Sequence, residues 1–200
     1  MTYLAKLSSI ISKRAIRVLG IAESFSMKYP KSVLTGVVMR SDLIIDGVVN
    51  GLATVGGLDS TDVIINMFRS LNRSDIHALM IDGCIISFYN IIDLDRIYGE
   101  LGLPVICLVF SRLRGNPRNA VLKLFKDGEA RVRLLERLGE PKAIHTRLGV
   151  VWARYRGLSY GEARLLVERF QRDGRRPEPL KVSQAISASI LRSILGQLNP

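Results

Sequence analysis

A short apolar run that ends in Asp82 and Gly83 constrains the fold more than any other stretch of the chain. Ala78 to Ile81 is too short for a helix and is stopped by Asp-Gly, which is typical of a strand buried on both faces of a sheet. Asp82 then lies at the carboxyl end of that strand, the edge at which open α/β sheets bind ligands. Its carboxylate is therefore either a metal ligand or a turn-former that accepts hydrogen bonds from the next backbone amides.

The order of the predicted elements indicates an α/β fold with a mixed sheet. Three antiparallel strands followed by alternating helices and strands is the order of the ribonuclease H-like fold, in which the first and fourth strands are neighbours. We expect one domain over residues 1–200, with a lead-in over 1–15 and a helical extension over 176–200. The predicted strands are 16–21, 32–40, 43–55, 78–81, 105–110 and 148–155. The predicted helices begin at Asp59 or Ser60, Asn90, Asn116, Asp127, Ser159 and Leu180. Residues 141–145 are predicted to be a linker.

The positive charge is concentrated in the second half of the chain. The formal net charge is +11; residues 1–100 hold ten Lys/Arg and ten Asp/Glu, whereas residues 101–200 hold nineteen and eight. Of the 29 basic residues 21 are arginines, whose planar fork binds phosphates and stacks on bases. The pattern favours a polyanionic partner, DNA or RNA first, over a surface of ion-pair networks, since such networks would need more acidic residues.

The remaining composition favours a cytoplasmic protein that has no membrane partner. No apolar run reaches the roughly 18 residues that span a bilayer, and the first residues carry no cleavage-like segment. Cys84 and Cys107 lie in apolar surroundings without CxxC spacing, so we predict reduced core residues rather than metal ligands. No covalent nucleophile, nucleotide-binding glycine-rich loop or zinc site is indicated.

Five motifs occur in a fixed order along the chain. They are Gly20-Ile21-Ala22-Glu23-Ser24-Phe25, the turn 55–61, Leu79-Met80-Ile81-Asp82-Gly83 with Phe88-Tyr89-Asn90, Gly102-Leu103-Pro104-Val105, and residues 177–182. In this order they resemble the archaeal "domain of unknown function 99" (UPF0215) family, which is itself similar to endonuclease V. The resemblance covers nearly the whole chain. It implies a ribonuclease H-like, endonuclease V-like fold and, for endonuclease V proper, a Mg²⁺-dependent cut near deaminated bases.

The chain departs from the family pattern at three positions that such chemistry would use. Ala22 stands where the family has the first of two acids, the one that aligns with a metal-binding aspartate. Gly56 replaces an acid in the turn, and Gln184 replaces a histidine. Paired carboxylates suit Mg²⁺ or Mn²⁺, so a site that lacks one of them holds a divalent ion poorly. Glu23 can compensate only through its longer side chain or a backbone shift.

The predicted site combines acids from distant strands with a basic second half. Asp82 and Glu23 are the candidate ligands for Mg²⁺ or Mn²⁺, and Asp59 completes the candidate catalytic set. The alternatives are an ordinary loop acid for Glu23 and a helix cap for Asp59. The candidate nucleic-acid-binding residues, whose alternative role is solvated surface charge, are Arg112, Arg114, Arg118, Lys123 and Arg147.

Three classes of function follow. The first is a nucleic-acid-binding protein with a degenerate metal site and weak or absent nuclease activity. Its alternative is a Mg²⁺- or Mn²⁺-dependent endonuclease that acts on deaminated or structured DNA or RNA. The third is a structural or regulatory protein whose arginines pair with acidic proteins. Each of the three classes is compatible with a homo-oligomer.

Overall fold

The computed structural model describes residues 16–110 and 116–198. Within them the strands are β1 (Arg17–Ser24), β2 (Lys31–Arg40), β3 (Ile45–Thr54), β4 (Ala78–Asp82), β5 (Ile85–Ile86), β6 (Asn90–Ile91), β7 (Val105–Val109), β8 (Lys142–Thr146) and β9 (Gly149–Arg156). The helices are α1 (Ser60–Ser70), α2 (Leu94–Leu101), α3 (Pro117–Leu124), α4 (Gly128–Leu138), α5 (Tyr160–Phe170) and α6 (Glu178–Leu198). None of the helices described is both long and apolar enough to cross a membrane.

Within the described residues, seven strands form one mixed sheet in the order β3-β2-β1-β4-β7-β9-β8. The strands β1, β2 and β3 are antiparallel neighbours, and β1 pairs in parallel with β4, with Ile21 opposite Ile81. The prediction that the first and fourth strands lie side by side is therefore confirmed. Because β4 also runs parallel to β7, the ends of β1, β4 and β7 meet at one edge of the sheet.

Two apolar cores cover the two faces of this sheet. Side chains alternate along a strand, so Leu19 and Ile21 of β1 pack with α1 and α2, whereas Val18 packs with α5 and α6. The first turn of α6 lies directly on β1, because a Cβ atom at Gly20 would stand only 2.4 Å from Cβ of Pro179. The hydroxyl of Ser183 fixes this contact, with its oxygen 2.6 Å from the carbonyl oxygen of Gly20.

Several predicted boundaries are wrong. The strand β1 continues to Ser24, because Ala22 and Glu23 also pair with β2. Asn90 belongs to β6 rather than capping a helix; α2 begins at Leu94, after Asp93 accepts a hydrogen bond from the amide of Arg96. The predicted linker 141–145 falls on the edge strand β8, in which Ile144 alone is buried, so the segment carries no alternating apolar signal.

The prediction of two reduced cysteines is also wrong. Cys84 and Cys107 are joined by a disulfide, with their Cα atoms 6.0 Å apart. Both residues are buried, as expected, but 23 positions separate them in the sequence. They meet because β4 and β7 are hydrogen-bonded neighbours, and that pairing cannot be seen in the spacing of the cysteines.

Candidate functional site

A cavity of ≈ 560 Å³ opens at the edge where β1, β4 and β7 end. Glu23 and Asp82 both line it, although 59 positions separate them along the chain. Its wall also includes Phe110, which follows β7, and Gln184 and Arg192 of α6. The expected convergence of the two acids at one sheet edge is thus what the fold produces.

Asp82 lies on the face of the sheet that α6 covers. Met80, two residues earlier on β4, belongs to the same core as Leu180 of α6, and side chains two apart on a strand share a face. The side chain is only 14% exposed, and its Oδ2 atom is buried without a hydrogen-bond donor. Nη1 of Arg176 lies 3.4 Å from that atom. Burial raises the pKa of Asp82, and the charge of Arg176 partly opposes the rise.

Ala22 is the neighbour of Asp82 on that face. The parallel register of β1 and β4 ends with Ile21 opposite Ile81, and continuing it by one position places Ala22 next to Asp82. Ala22 is 2% exposed and offers only a methyl group. Asp82 therefore has the Arg176 guanidinium beside it, and the adjacent position of β1 carries an alanine rather than a second carboxylate.

Glu23 lies on the opposite face, which it shares with Ile21. Its Oε2 atom accepts hydrogen bonds from the hydroxyls of Ser32 at 3.1 Å and Ser87 at 3.3 Å, and its Oε1 atom accepts one from the amide of Ser87 at 3.2 Å. Burial raises the pKa of Glu23, the serine donors lower it, and the nearby charge of Asp82 raises it further. Both of its oxygens are therefore engaged with the end of β2 and the β5–β6 turn.

Asp59 has a structural position outside the lining of the cavity. It occupies the N-cap position of α1, but its side chain makes no capping hydrogen bond. Its carboxylate instead accepts bonds from the amide and hydroxyl of Thr54 at 2.7–3.0 Å and from the side chain of Asn90 at 2.8 Å. Burial alone would raise the pKa of Asp59, but these donors outweigh it and lower the pKa. The alternative that capping explains Asp59 is wrong.

The predicted basic residues fall in several places. Arg112 and Arg114 lie outside the described residues. Arg118 and Lys123 lie on α3, where Arg118 forms an exposed ion pair with Glu136 at 2.8 Å. Arg147 lies in the turn between β8 and β9, which extends past the carboxyl end of β7, so it is at the same sheet edge as the cavity.

Three arginines that sequence reasoning did not select line the cavity. Arg154 lies on β9, Arg176 on the segment before α6, and Arg192 on α6. The guanidinium of Arg176 also lies over the ring of Phe110, with its Cζ atom 4.8 Å from the ring centroid. Helical spacing relates Arg192 to Gln184 and Ala188 on one face of α6, a signal that could have identified it. No comparable local pattern distinguishes Arg176 from Arg175.

Gln184 lies on α6 and lines the cavity. Its side-chain amide donates to the hydroxyl of Ser24 at 3.1 Å, and that hydroxyl lies 3.0 Å from the hydroxyl of Ser187. This uncharged network joins the end of β1 to α6. Across residues 16–110 and 116–198, no three side chains of the types His, Cys, Asp and Glu cluster so that they could hold a metal ion.

Comparisons with known proteins agree with this architecture. The family model described as endonuclease dU matches residues 14–191. A UPF0215 protein of Pyrobaculum calidifontis is 38% identical over 173 residues, which are 86% of this chain and 95% of that protein. Among solved structures, a protein of unknown function from Archaeoglobus fulgidus matches with a TM-score of 0.76 and 27% identity, over 88% of this chain and 98% of that one.

A more distant likeness extends to endonuclease V. The enzyme of Ciona intestinalis, in complex with a 23mer DNA that contains inosine, matches with a TM-score of 0.60 and 13% identity, over 97% of this chain and 100% of that one. This likeness and the strand order give a ribonuclease H-like fold, which confirms the predicted fold class. The predicted family resemblance is confirmed as well, and the chain belongs to the endonuclease dU family.

Proposed function

We propose that this protein binds nucleic acid at the carboxyl edge of the sheet and that its metal site is degenerate, with weak or no phosphodiester cleavage. The observation that carries the proposal is the surroundings of Asp82. The neighbouring strand position on its face is Ala22, and the charged group next to it is Arg176.

The donor set does not fit a magnesium or manganese ion. These hard cations take several oxygen ligands, and a catalytic site supplies at least two carboxylates to one ion. On the face of Asp82 the described residues supply one carboxylate, together with a guanidinium 3.4 Å from it. Glu23 is on the other face, and three donors from serines already occupy its oxygens. A bound ion would have to displace those donors and the charge of Arg176.

The charge distribution supports nucleic acid as the partner. Among the described residues that line the cavity, three are arginines and two are acids, Glu23 and Asp82, so the positive charges exceed the negative ones. Arg147 adds a further cation at the same edge. The similarity to an endonuclease V that was solved with inosine-containing DNA favours the same class of ligand.

Fluorescence anisotropy with labelled single- and double-stranded oligonucleotides, with and without deoxyuridine or deoxyinosine, tests the proposal. We expect log K to fall linearly with log salt, with a slope of about 0.7–0.9 per phosphate contacted. We also expect the same affinity in EDTA and in Mn²⁺. Arg69→Gln is a matched control, because it removes one charge from the last turn of α1, which runs away from the cavity edge. Binding that ignores salt would refute the proposal.

A metal-dependent endonuclease is the second candidate. One observation favours it: Asp82 and Glu23 line the same cavity, and Oδ2 of Asp82 has no hydrogen-bond donor. This candidate predicts nicking of deoxyuridine- or deoxyinosine-containing strands in Mn²⁺, abolished by Asp82→Asn. Such a result would replace the binding proposal, whereas cleavage no greater than that of Asp82→Asn would eliminate the nuclease.

A further inference from the structure

We propose that Arg176, oriented by Asp82, is a metal-independent binding site for one backbone phosphate of the nucleic acid. This inference rests on the proposed function and names the group through which the site would bind its ligand. Arg176 would be the binding residue and Asp82 a positioning residue that acts through it.

Arg176 contacts two groups at the cavity and keeps donors available. The carboxylate of Asp82 lies 3.4 Å from its guanidinium, and the centroid of the Phe110 ring lies 4.8 Å from its Cζ atom. Within the described residues, Asp82 is the one acid within ion-pair distance of it. Because a guanidinium carries five N–H donors, this single contact leaves several for a phosphate oxygen pair. The side chain is 38% exposed, so a ligand in the cavity can reach it.

The backbone that carries Arg176 is anchored on both sides. The side-chain amide of Gln171 donates to the carbonyl oxygen of Arg175 at 2.6 Å. Nζ of Lys181 donates to the carbonyl oxygen of Asp173 at 2.7 Å. Pro179 is seated against Gly20, as described above. A fixed segment of this kind holds the side chain near its binding geometry before the ligand arrives, which lowers the entropy cost of binding.

Charge balance distinguishes the cavity from the outer surface. Arg118 and Arg156 each face an exposed acid, at 2.8 and 2.5 Å respectively. Arg192, on the same cavity wall as Arg176, has no acid within ion-pair distance among the described residues. The cavity therefore keeps an excess of positive charge that an anion would neutralise.

The burial of Asp82 explains why it would be retained without a metal. A buried carboxylate that lacks a partner is costly, and Oδ2 has no hydrogen-bond donor. The Arg176 charge is the compensation that the structure provides. In this arrangement Asp82 fixes the position of the guanidinium.

Binding measured in EDTA on the full chain tests the inference. We expect Arg176→Gln to weaken affinity about tenfold to a hundredfold, the range for a charged hydrogen bond, and to lower the salt slope by about 0.7–0.9, which is one phosphate contact. Arg176→Lys should keep the slope but lose part of the affinity, since an ammonium cannot fork and stack. Arg69→Gln should change neither quantity. Circular dichroism and thermal unfolding establish whether each variant is folded. If Arg176→Gln does not fold, Arg176→Lys still tests the inference.

A double-mutant cycle tests the role of Asp82. We expect Asp82→Asn to weaken binding when Arg176 is present and to have no effect in the Arg176→Gln background, because the aspartate acts through the arginine. Tighter binding of Asp82→Asn in both backgrounds would mean that Asp82 only repels the ligand and would overturn the positioning role.

The outcomes separate this inference from the proposed function. If the wild-type protein shows no salt-dependent binding, the proposed function fails. If it binds but Arg176→Gln keeps the wild-type affinity and slope, the inference alone fails. A gain in wild-type affinity on adding Mn²⁺ that Asp82→Asn removes would make Asp82 a metal ligand, and it would overturn both the inference and the degenerate site.

Discussion

The substitution Ala22→Asp provides the sharpest test of the proposal that the metal site is degenerate. The new carboxylate would stand beside Asp82, on the same face, since β1 and β4 pair in parallel with Ile21 opposite Ile81. Two carboxylates on one face are the arrangement that holds Mg²⁺ or Mn²⁺. We therefore expect the variant to bind a divalent ion more tightly than the wild-type protein does.

The expected change in the stability of Ala22→Asp follows from the burial of position 22. Ala22 is 2% exposed, so without a metal the variant buries a second charge beside Asp82 and should lose roughly 3–5 kcal/mol of stability, the cost of an uncompensated buried charge. An ion that binds only the folded state returns about 2.7 kcal/mol at a hundred times its Kd. For a chain of this size that corresponds to a rise in Tm of about 5–11 °C.

Thermal unfolding in Mn²⁺ and in EDTA measures this rise for the wild-type protein, Ala22→Asp and Ala22→Asn. The asparagine variant is the matched control, because it has nearly the same volume without the charge. Arg176 competes for the new carboxylate, so the double variant Ala22→Asp, Arg176→Gln should show the larger rise. A folded Ala22→Asp protein whose Tm is the same in Mn²⁺ and EDTA, in both backgrounds, would refute the reasoning. So would a wild-type protein that shows the same rise.

Three further predictions concern stability. Burial raises the pKa of Glu23 in the folded protein above its usual 4.5. Protonated Glu23 therefore contributes to the free energy of unfolding; this contribution is complete below pH 4.5 and is lost as the pH rises through the folded-state pKa. Urea unfolding from acid to neutral pH should therefore show that the stability of Glu23→Gln increases relative to that of the wild-type protein as the pH rises. A difference in free energy of unfolding that stays constant with pH would contradict this. Reduction of the Cys84–Cys107 disulfide, which closes a separation of 23 residues, should cost about 3–4 kcal/mol; two free thiols in the unreduced, unfolded protein would contradict it. Arg131→Gln should cost about 3–5 kcal/mol, because its buried guanidinium donates to three backbone carbonyls, while exposed Arg133→Gln should stay within about 0.5 kcal/mol in the same denaturant titration.

Local sequence signals predicted much of the fold where they act within one element. Ser159 and Glu162 form the expected capping box at the start of α5. Gly102 ends α2 with a φ of 64°, the left-handed conformation that a terminal glycine provides. The apolar run before Asp82 is a buried strand at the centre of the sheet, as expected. These features are determined by residues that are close together in the sequence, so they can be predicted from the sequence alone.

The turn at Ser87, Phe88 and Tyr89 shows where such reasoning stops. All three residues have positive φ, between 45° and 62°, a conformation that non-glycine residues rarely adopt. Distant groups hold it: the amide of Ser87 donates to Glu23 at 3.2 Å, and Nη1 of Arg131 donates to the carbonyl oxygen of Tyr89 at 2.7 Å. The strain is offset by tertiary contacts, which explains why local preferences placed a helix start at Asn90 instead.

The candidate site also has one part that could be predicted from the sequence and another that depends on tertiary packing. The strand order brings Glu23 and Asp82 to one cavity, and that meeting could be predicted from topology. The face on which each acid lies depends on strand length: β1 continues through Glu23, so alternation turns that side chain away from the face of Asp82. The part played by Arg176 depends on how α6 is seated on Gly20, which is a packing contact without a sequence signature.

Binding and cleavage make different demands on a positive charge, and this difference connects Ala22 with Arg176. A divalent ion both neutralises a phosphate and lowers the pKa of a bound water, which generates the nucleophile. A guanidinium also neutralises and orients a phosphate, but it stays protonated at all physiological pH values and binds no activated water. With an alanine at position 22 and Arg176 paired with Asp82, the site would therefore attract a phosphate without the means of cutting it. Affinity that is insensitive to EDTA and depends on Arg176, together with cleavage that appears only when an acid is introduced at position 22, is the combination that this reasoning requires.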